Sequence, residues 1–295
     1  MSKKVLIVYF SGTGGTKRIA DSFEQTFSGK NCSVTKHSLD KAEYESYKEK
    51  YEDLINQSDL IVLLYPVYIL GAPLPIYKWI EDLKSKEGKA TVVISVSGGG
   101  DVWPNTSCRV NVIKALEKKN YDVVYEKMMV MTSNVFIQYN DHTAMHILNS
   151  INERVNKIVN DLLEGKKRRE KLHISTYLFS LMRTDKEAGK FGKLLRVNEN
   201  CSGCGWCVKN CPQQNWEMEN GRPISTDRCV GCFRCIYGCP NRAIYFQNGD
   251  KTILKDGFNI EEVEKRMNGI PLEPVEKCCK GLMLIGVKKY LLEKD

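Results

Sequence analysis

Apolar and polar positions follow two alternating periods through the first 165 residues. The chain opens on a near-continuous apolar run, KVLIVYF at 4–10, as a parallel strand buried on both faces requires. Residues 15–27 then carry Ile19, Ala20, Phe23 and Phe27 at helical spacing. Further strand-like runs fall at 33–38, 60–64, 90–96 and 123–131, and helical patterns fall near 43–55, 75–84, 106–119 and 143–164. Strands alternating with helices predict an α/β doubly wound parallel sheet with helices on both faces. Later, Ile174, Tyr177, Leu178, Leu181 and Met182 form one apolar helical stripe. The expectation is a helix packed between two domains, with a membrane-surface helix as the alternative. Residues 251–295 carry no legible pattern.

Composition narrows the class. With 295 residues the chain has room for about two domains. A hydrophobic fraction of 42% and a charged fraction of 27% are those of a globular protein. The greasiest stretch, 60–76, is broken by Pro66, Gly71, Pro73 and Pro75 and is shorter than the ~20 residues of a membrane span. Lys3 and Lys4 precede too short an apolar run for a secretion signal, so a cytoplasmic protein is expected. The formal charge of +8 is concentrated. Residues 1–165 hold 20 basic and 20 acidic side chains, whereas 166–196, opening KKRREK, hold 10 and 3. Two readings stay open for this run: a solvated face, and a docking surface that steers an acidic redox partner. No aromatic interleaving or binding motif accompanies it, which argues against nucleic acid.

The first candidate site is SGTGGT, comprising Ser11, Gly12, Thr13, Gly14, Gly15 and Thr16, between the first strand and first helix. Glycines allow a tight turn, helix N-terminal amides point at an anion, and Ser11, Thr13 and Thr16 add hydroxyls. A plain strand-to-helix turn is the bland reading. The Walker pattern fails because no Gly-Lys-Ser/Thr closes the loop; G-x-G-x-x-G fails because Lys17 takes its last position. A terminal phosphate suits the loop better than a buried pyrophosphate. The stretch resembles the flavodoxin family, whose Ser/Thr-x-Thr-Gly-x-Thr motif is matched by Ser11, Thr13, Gly14 and Thr16. The resemblance implies a five-stranded parallel sheet of order 2-1-3-4-5 holding flavin mononucleotide (FMN), with its phosphate on this loop. Gly15 stands where many relatives have Asn, so a side-chain contact is lost. YPVYILGAPLP resembles a ring-binding loop and implies roles for Pro66, Val67 and Tyr68, with Tyr68 stacked on the isoalloxazine. SVSGGGDVWPN would flank the other face through Ser97, Gly98 and Gly99. Trp103 either joins that face or caps the core.

Eight of the twelve cysteines lie within 201–239. They form C-x2-C-x2-C-x3-C-P twice, at Cys201, Cys204, Cys207 and Cys211, and at Cys229, Cys232, Cys235 and Cys239. Clustered thiols in a chain of this length favour metal over disulfides. Zinc needs four thiols per tetrahedral site and has no use for this cadence twice. The stretch looks like a bacterial two-cluster ferredoxin, a small α+β domain. That resemblance implies two [4Fe-4S] clusters in which the last Cys of each run serves the other cluster. One set would be Cys201, Cys204, Cys207 and Cys239; the other Cys229, Cys232, Cys235 and Cys211. Cys32 and Cys108 read as small buried hydrophobes, and Cys278 and Cys279 as structural. His142 and His146 share a helical face, where packing is the simpler role.

The expected organisation is a flavodoxin-like domain at 1–165, a basic, partly helical connector at 166–197, a ferredoxin domain at 198–250 and an extension at 251–295. The order resembles flavodoxin–ferredoxin fusion proteins of anaerobic bacteria. It implies an electron carrier coupling one-electron to two-electron partners. The alternative is a flavin-dependent reductase, for which Tyr139 or His142 would be the proton donor. Redox sensing would need an output module, and none is legible.

Overall fold

The computed structural model describes residues 2–181, 184–247, 251–254 and 257–293, with the side chains of 184–188 outside the description. Five parallel strands pair in the order 2-1-3-4-5. They are β1 (Lys4–Tyr9), β2 (Ser33–Ser38), β3 (Leu60–Pro66), β4 (Lys89–Ser97) and β5 (Tyr121–Val130). The apolar runs explain the two layers. Val5, Ile7 and Tyr9 enter one core and Leu6, Val8 and Phe10 the other; in β3 Leu60, Val62 and Leu64 oppose Ile61, Leu63 and Tyr65. Each fully buried aliphatic side chain contributes roughly 1.5–3 kcal/mol. Helices Gly15–Gly29 and Asp141–Leu163 cover the first face. Tyr51–Gln57, Leu74–Asp82 and Val110–Lys118 cover the second.

The extension that carries no sequence pattern belongs to the first core. Ile260, Cys279, Leu284, Val287 and Tyr290 are buried there against the helix Asp141–Leu163. Short elements explain the weak pattern: helix Ile260–Met267 buries only Ile260 and Met267. Arg266 grips Asp141 with two bonds of 2.8 and 2.9 Å. The Arg154 guanidinium lies 3.9 Å from the centre of the Tyr290 ring. His146 Nε2 lies 2.7 Å from the Glu273 carbonyl, and the Glu273 amide donates to His142 Nδ1 at 3.3 Å. Both histidines hold the extension.

The connector behaves differently from expectation. Arg168 lies alongside β5, its amide donating to the Val124 carbonyl and its carbonyl accepting from Glu126 N, each at 2.9 Å. Lys166 pairs with Asp161, Lys167 with Asp122, Arg168 with Glu170, and Arg169 with Glu117 and Glu126. The basic run is therefore held by acids of its own chain. In helix Ile174–Phe179 the apolar stripe faces solvent, with Ile174 70%, Leu178 64% and Leu181 71% exposed. The expected packing of this stripe between the domains is not found, and Met182 lies outside the described residues. Small polar side chains carry the buried face instead: Thr176 meets Thr106, and the Ser180 carbonyl accepts from Asn111 at 2.6 Å. Their small size lets the helix approach closely. Trp103, 59% exposed, meets Phe179 edge-on rather than capping the core.

After helix Thr184–Leu194, strand Leu195–Val197 pairs antiparallel with Ile244–Phe246, so the small unit begins before the expected boundary at 198. A second ribbon joins Trp216–Glu219 to Arg222–Ser225. Leu195, Trp216, Phe233, Ile236, Ile244 and Phe246 form its core around the thiols. Among the described residues no helix is long and apolar enough to cross a membrane.

Because Tyr290 is buried under Arg154, we expect Tyr290→Ala to lower stability by about 3 kcal/mol in denaturant unfolding. A loss under about 1 kcal/mol would make the extension a dispensable appendage.

Candidate functional site

The loop 11–16 ends in a left-handed Gly14, φ 97°, from which helix Gly15–Gly29 starts. The N-cap Gly14 has no side chain and no acid stands in the first turn; Ser11 takes the Lys17 amide, and the amides of Gly15 and Thr16 are left for a ligand. Ser11 and Thr16 are buried, and Ser11 Oγ accepts from Lys17 N at 3.2 Å. Thr13 Oγ1 accepts from Asn134 Nδ2 at 3.1 Å. A Cβ on Gly15 would stand 2.8 Å from Met131 Cγ. Met131 thus occupies the space an Asn would need, which gives a physical reason for this departure from the flavodoxin pattern.

Ser11, Gly12, Thr13, Gly15 and Thr16 line a small cavity of about 70 Å³, shared with Pro66, Val67, Tyr68, Ser97 and Gly98. It adjoins a larger cavity of about 600 Å³, which Val67, Tyr68, Ser97, Gly98 and Gly99 also line. The three loops expected to meet at the carboxyl ends of the strands do meet there. Tyr68 lies in the wall of both, its ring edge-on to Phe10 and its hydroxyl against Gly12. Burial raises the Tyr68 hydroxyl well above its ordinary pKa. Tyr139 donates to the Gly98 carbonyl, and burial raises it too. The larger cavity has unexpected walls: Gly231 and Phe233 of the second cysteine run, and Leu282 and Met283 of the extension.

The cysteine runs are crossed. Cys211, Cys229, Cys232 and Cys235 ring a single cavity. Cys207 lies within electrostatic reach of Cys201 and Cys239. Backbone amides face the sulfurs: Asn215 N to Cys211, Gly231 N to Cys229 and Ala243 N to Cys239, at 3.2, 3.4 and 3.3 Å. Burial pushes the Cys229 thiol up to about 11 and Cys232 up to about 12. Such thiols give up their protons to a cation that replaces the lost hydration, as iron does. A ring of thiols around a cavity suits a polynuclear cluster. Cys204, in contrast to Cys232, is exposed.

The two sites touch. Cys232 belongs to the same buried core as Phe10, Leu63 and Tyr65. A Cβ on Gly12 would stand 2.5 Å from Cys232 Cβ and would collide with the Tyr68 hydroxyl. Arg234 donates to the carbonyls of Gly12, Ser11 (2.8 Å) and Asn210 (3.0 Å), and reaches Asp40 at 3.3 Å. Burial raises the Asp40 carboxyl, and Arg234 draws it partly back. Lys41 N donates to the Pro212 carbonyl at 2.7 Å. Neither Arg234 nor Asn134 stands out in the sequence alone. The signal is positional: Arg234 occupies the place that Trp206 takes in the first run, and Trp206 instead covers Gly238 within its own unit.

Residues 3–101 match a family described as having the flavodoxin-like fold, and residues 200–244 match the 4Fe-4S dicluster domain. The chain therefore joins a flavodoxin-like domain to a two-cluster ferredoxin domain, a redox protein whose first half suggests a flavin. Similar solved structures include a flavodoxin, WrbA-like protein from Agrobacterium tumefaciens (15% identity, 56% of this chain and 100% of that one, TM-score 0.39). An NAD(P)H:quinone oxidoreductase from Methanothermobacter marburgensis is 13% identical over 59% of this chain and 100% of its own, with TM-score 0.43. An azoreductase from Bacillus anthracis is 14% identical over 54% and 99%, with TM-score 0.41. No curated protein matches this chain.

The crossed thiols make a test. Cys211→Ser should remove the iron bound near 229–235 and leave about half of the total. Resolved paramagnetic spectra that lose the 201–207 signal instead would refute the crossing.

Proposed function

We propose that this chain is an electron-transfer protein connecting FMN to two [4Fe-4S] clusters, and so a one-electron partner to a two-electron one. The observation that carries this reading is the wall shared by the sites, where Cys232 lies against Gly12 and Gly231 and Phe233 line the larger cavity. When bound, the flavin exchanges one or two electrons and each cluster exchanges one. Loop 11–16 would hold the phosphate, and 66–68 with 97–99 would hold the ring. Cys229, Cys232, Cys235 and Cys211 would ligate the inner cluster; Cys201, Cys204, Cys207 and Cys239 would ligate the outer one. Amides aimed at sulfur favour the more negative, reduced state of each cluster. The exposed Cys204 supports an outer cluster that meets partner proteins. Partner docking is better sought there than at 166–169, whose cations are paired. A cytoplasmic, reducing compartment suits this thiol content.

A flavin-dependent reductase is the second reading, favoured by the size and apolar walls of the 600 Å³ cavity. Its weakness is proton supply. Tyr68 is the one titratable side chain among the described residues lining that cavity, and its hydroxyl is turned to Gly12. Tyr139 and His142 are engaged with Gly98 and Glu273.

Rapid mixing of the loaded protein with a one-electron reductant should show flavin and cluster reduction linked in a phase independent of protein concentration. Gly12→Ala, which wedges Cys232 away from the loop, should slow that phase several-fold in the fraction of protein that still carries both cofactors. Charges placed at the exposed Leu178 and Leu181 should leave it unchanged. A rate proportional to protein concentration would mean that the fusion is only a tether. Turnover of quinones or azo dyes with a nicotinamide donor would favour the reductase.

A further inference from the structure

We propose that the ferredoxin unit completes the flavin phosphate site, directly through Arg234 and indirectly by holding Asn134 of the first domain from Cys232 and Tyr237, so that FMN affinity and retention of the inner cluster are coupled. The proposal rests on the reading that FMN phosphate occupies loop 11–16.

Arg234 acts on the loop from behind. Its guanidinium takes the carbonyl oxygens of Ser11 and Gly12. In a planar trans peptide the N–H points opposite to the C=O. Fixing these two carbonyls therefore turns the amides of Gly12 and Thr13 away from Arg234, toward the cavity that the loop lines. The positive charge on the carbonyl side also polarises both peptides, making the amides stronger donors to an anion.

Asn134 acts from the side. Its Nδ2 donates to Thr13 Oγ1 at 3.1 Å and to the carbonyl of Cys232 at 3.2 Å. A carbonyl only accepts, so the Cys232 contact fixes which end of the amide faces the loop. Thr13 then receives a hydrogen bond on its oxygen, and its own proton is left to donate. A phosphate dianion offers acceptors alone, so this is the orientation it requires. The Asn134 carbonyl is in turn held by the Tyr237 hydroxyl at 2.6 Å, two residues beyond Cys235. Both devices thus hang on backbone 232–237, whose path is set by the inner thiols. Burial of an unpaired Asp40 Oδ1 beside Arg234 shows how far this junction is shut off from water.

A coupling of this kind is reciprocal: whatever the inner cluster adds to FMN affinity, FMN adds to the cluster. The test is calorimetric titration of flavin-free, cluster-loaded protein, under anaerobic conditions, with FMN and with riboflavin. Asn134→Ala and Arg234→Gln should each weaken FMN about tenfold while leaving riboflavin, which lacks the phosphate, unchanged. In the unaltered protein, saturating FMN should slow loss of the 229–235 cluster to an iron chelator, and spare riboflavin should not. That measurement decides the matter even if Arg234→Gln does not fold. FMN affinities within about twofold of the unaltered protein, or equal losses for riboflavin, would overturn the coupling. Failure of the unaltered protein to bind FMN at all would overturn the flavin reading beneath it.

Discussion

The contact between Gly12 and Cys232 is the constraint on which the rest of the structure depends. A single β-carbon at Gly12 cannot be accommodated, because Cys232 and the Tyr68 hydroxyl already fill its place. Ordinary carbon–carbon contact lies near 3.5–4 Å, so the 2.5 Å separation from Cys232 Cβ would force a shift of about 1 Å. Glycine at this position serves the junction between the two units. The carbonyl side of the loop is buried against a ferredoxin run, and its polar atoms would be costly there without Arg234. Arg234 meets that demand with four acceptors drawn from both units. One domain thus supplies the buried carbonyls and the other the donors that make their burial tolerable.

Much of this was legible beforehand, for reasons visible in particular residues. Alternation of Val5, Ile7 and Tyr9 with Leu6, Val8 and Phe10 marks a strand with two apolar faces, which only a sheet covered on both sides can satisfy. The cysteine cadence is legible because iron–sulfur ligation tolerates few spacings. The stripe at 174–181 misled because period reports which residues share a face, and nothing about what that face meets. There the close contact is made by Thr176 and Ser180, whose small size counts and whose hydropathy does not. For the basic run, net charge says nothing of partners: Asp161 is near in sequence, whereas Glu117, Asp122 and Glu126 come from more than 40 residues upstream. The extension stayed unreadable because it adds single side chains such as Val287 to a core defined elsewhere.

The two cysteine runs show how a near-repeat becomes directional. Both place a left-handed residue before a short helix, Gly205 at φ 71° and Phe233 at φ 61°. Glycine adopts this conformation freely, whereas a phenylalanine there is strained by about 1 kcal/mol or more and needs support. The support is packing: the Phe233 ring sits edge-on to Phe246 and Tyr237. In exchange the second run presents a large ring at the wall of the 600 Å³ cavity, where the first run has the half-buried Gly205. The next position diverges in the same sense, with Trp206 folded inward over Gly238 and Arg234 reaching outward to the loop. Two substitutions in a shared frame therefore make one run an internal face and the other an external one. Burial follows: Cys232 is enclosed in the core of the larger domain, and Cys204 stands exposed. A gradient of this kind separates the end buried against loop 11–16 from the end open to solvent. A symmetric pair of runs would present the same surface at both ends; under the proposed electron-transfer function, this asymmetry is what gives the transfer an order.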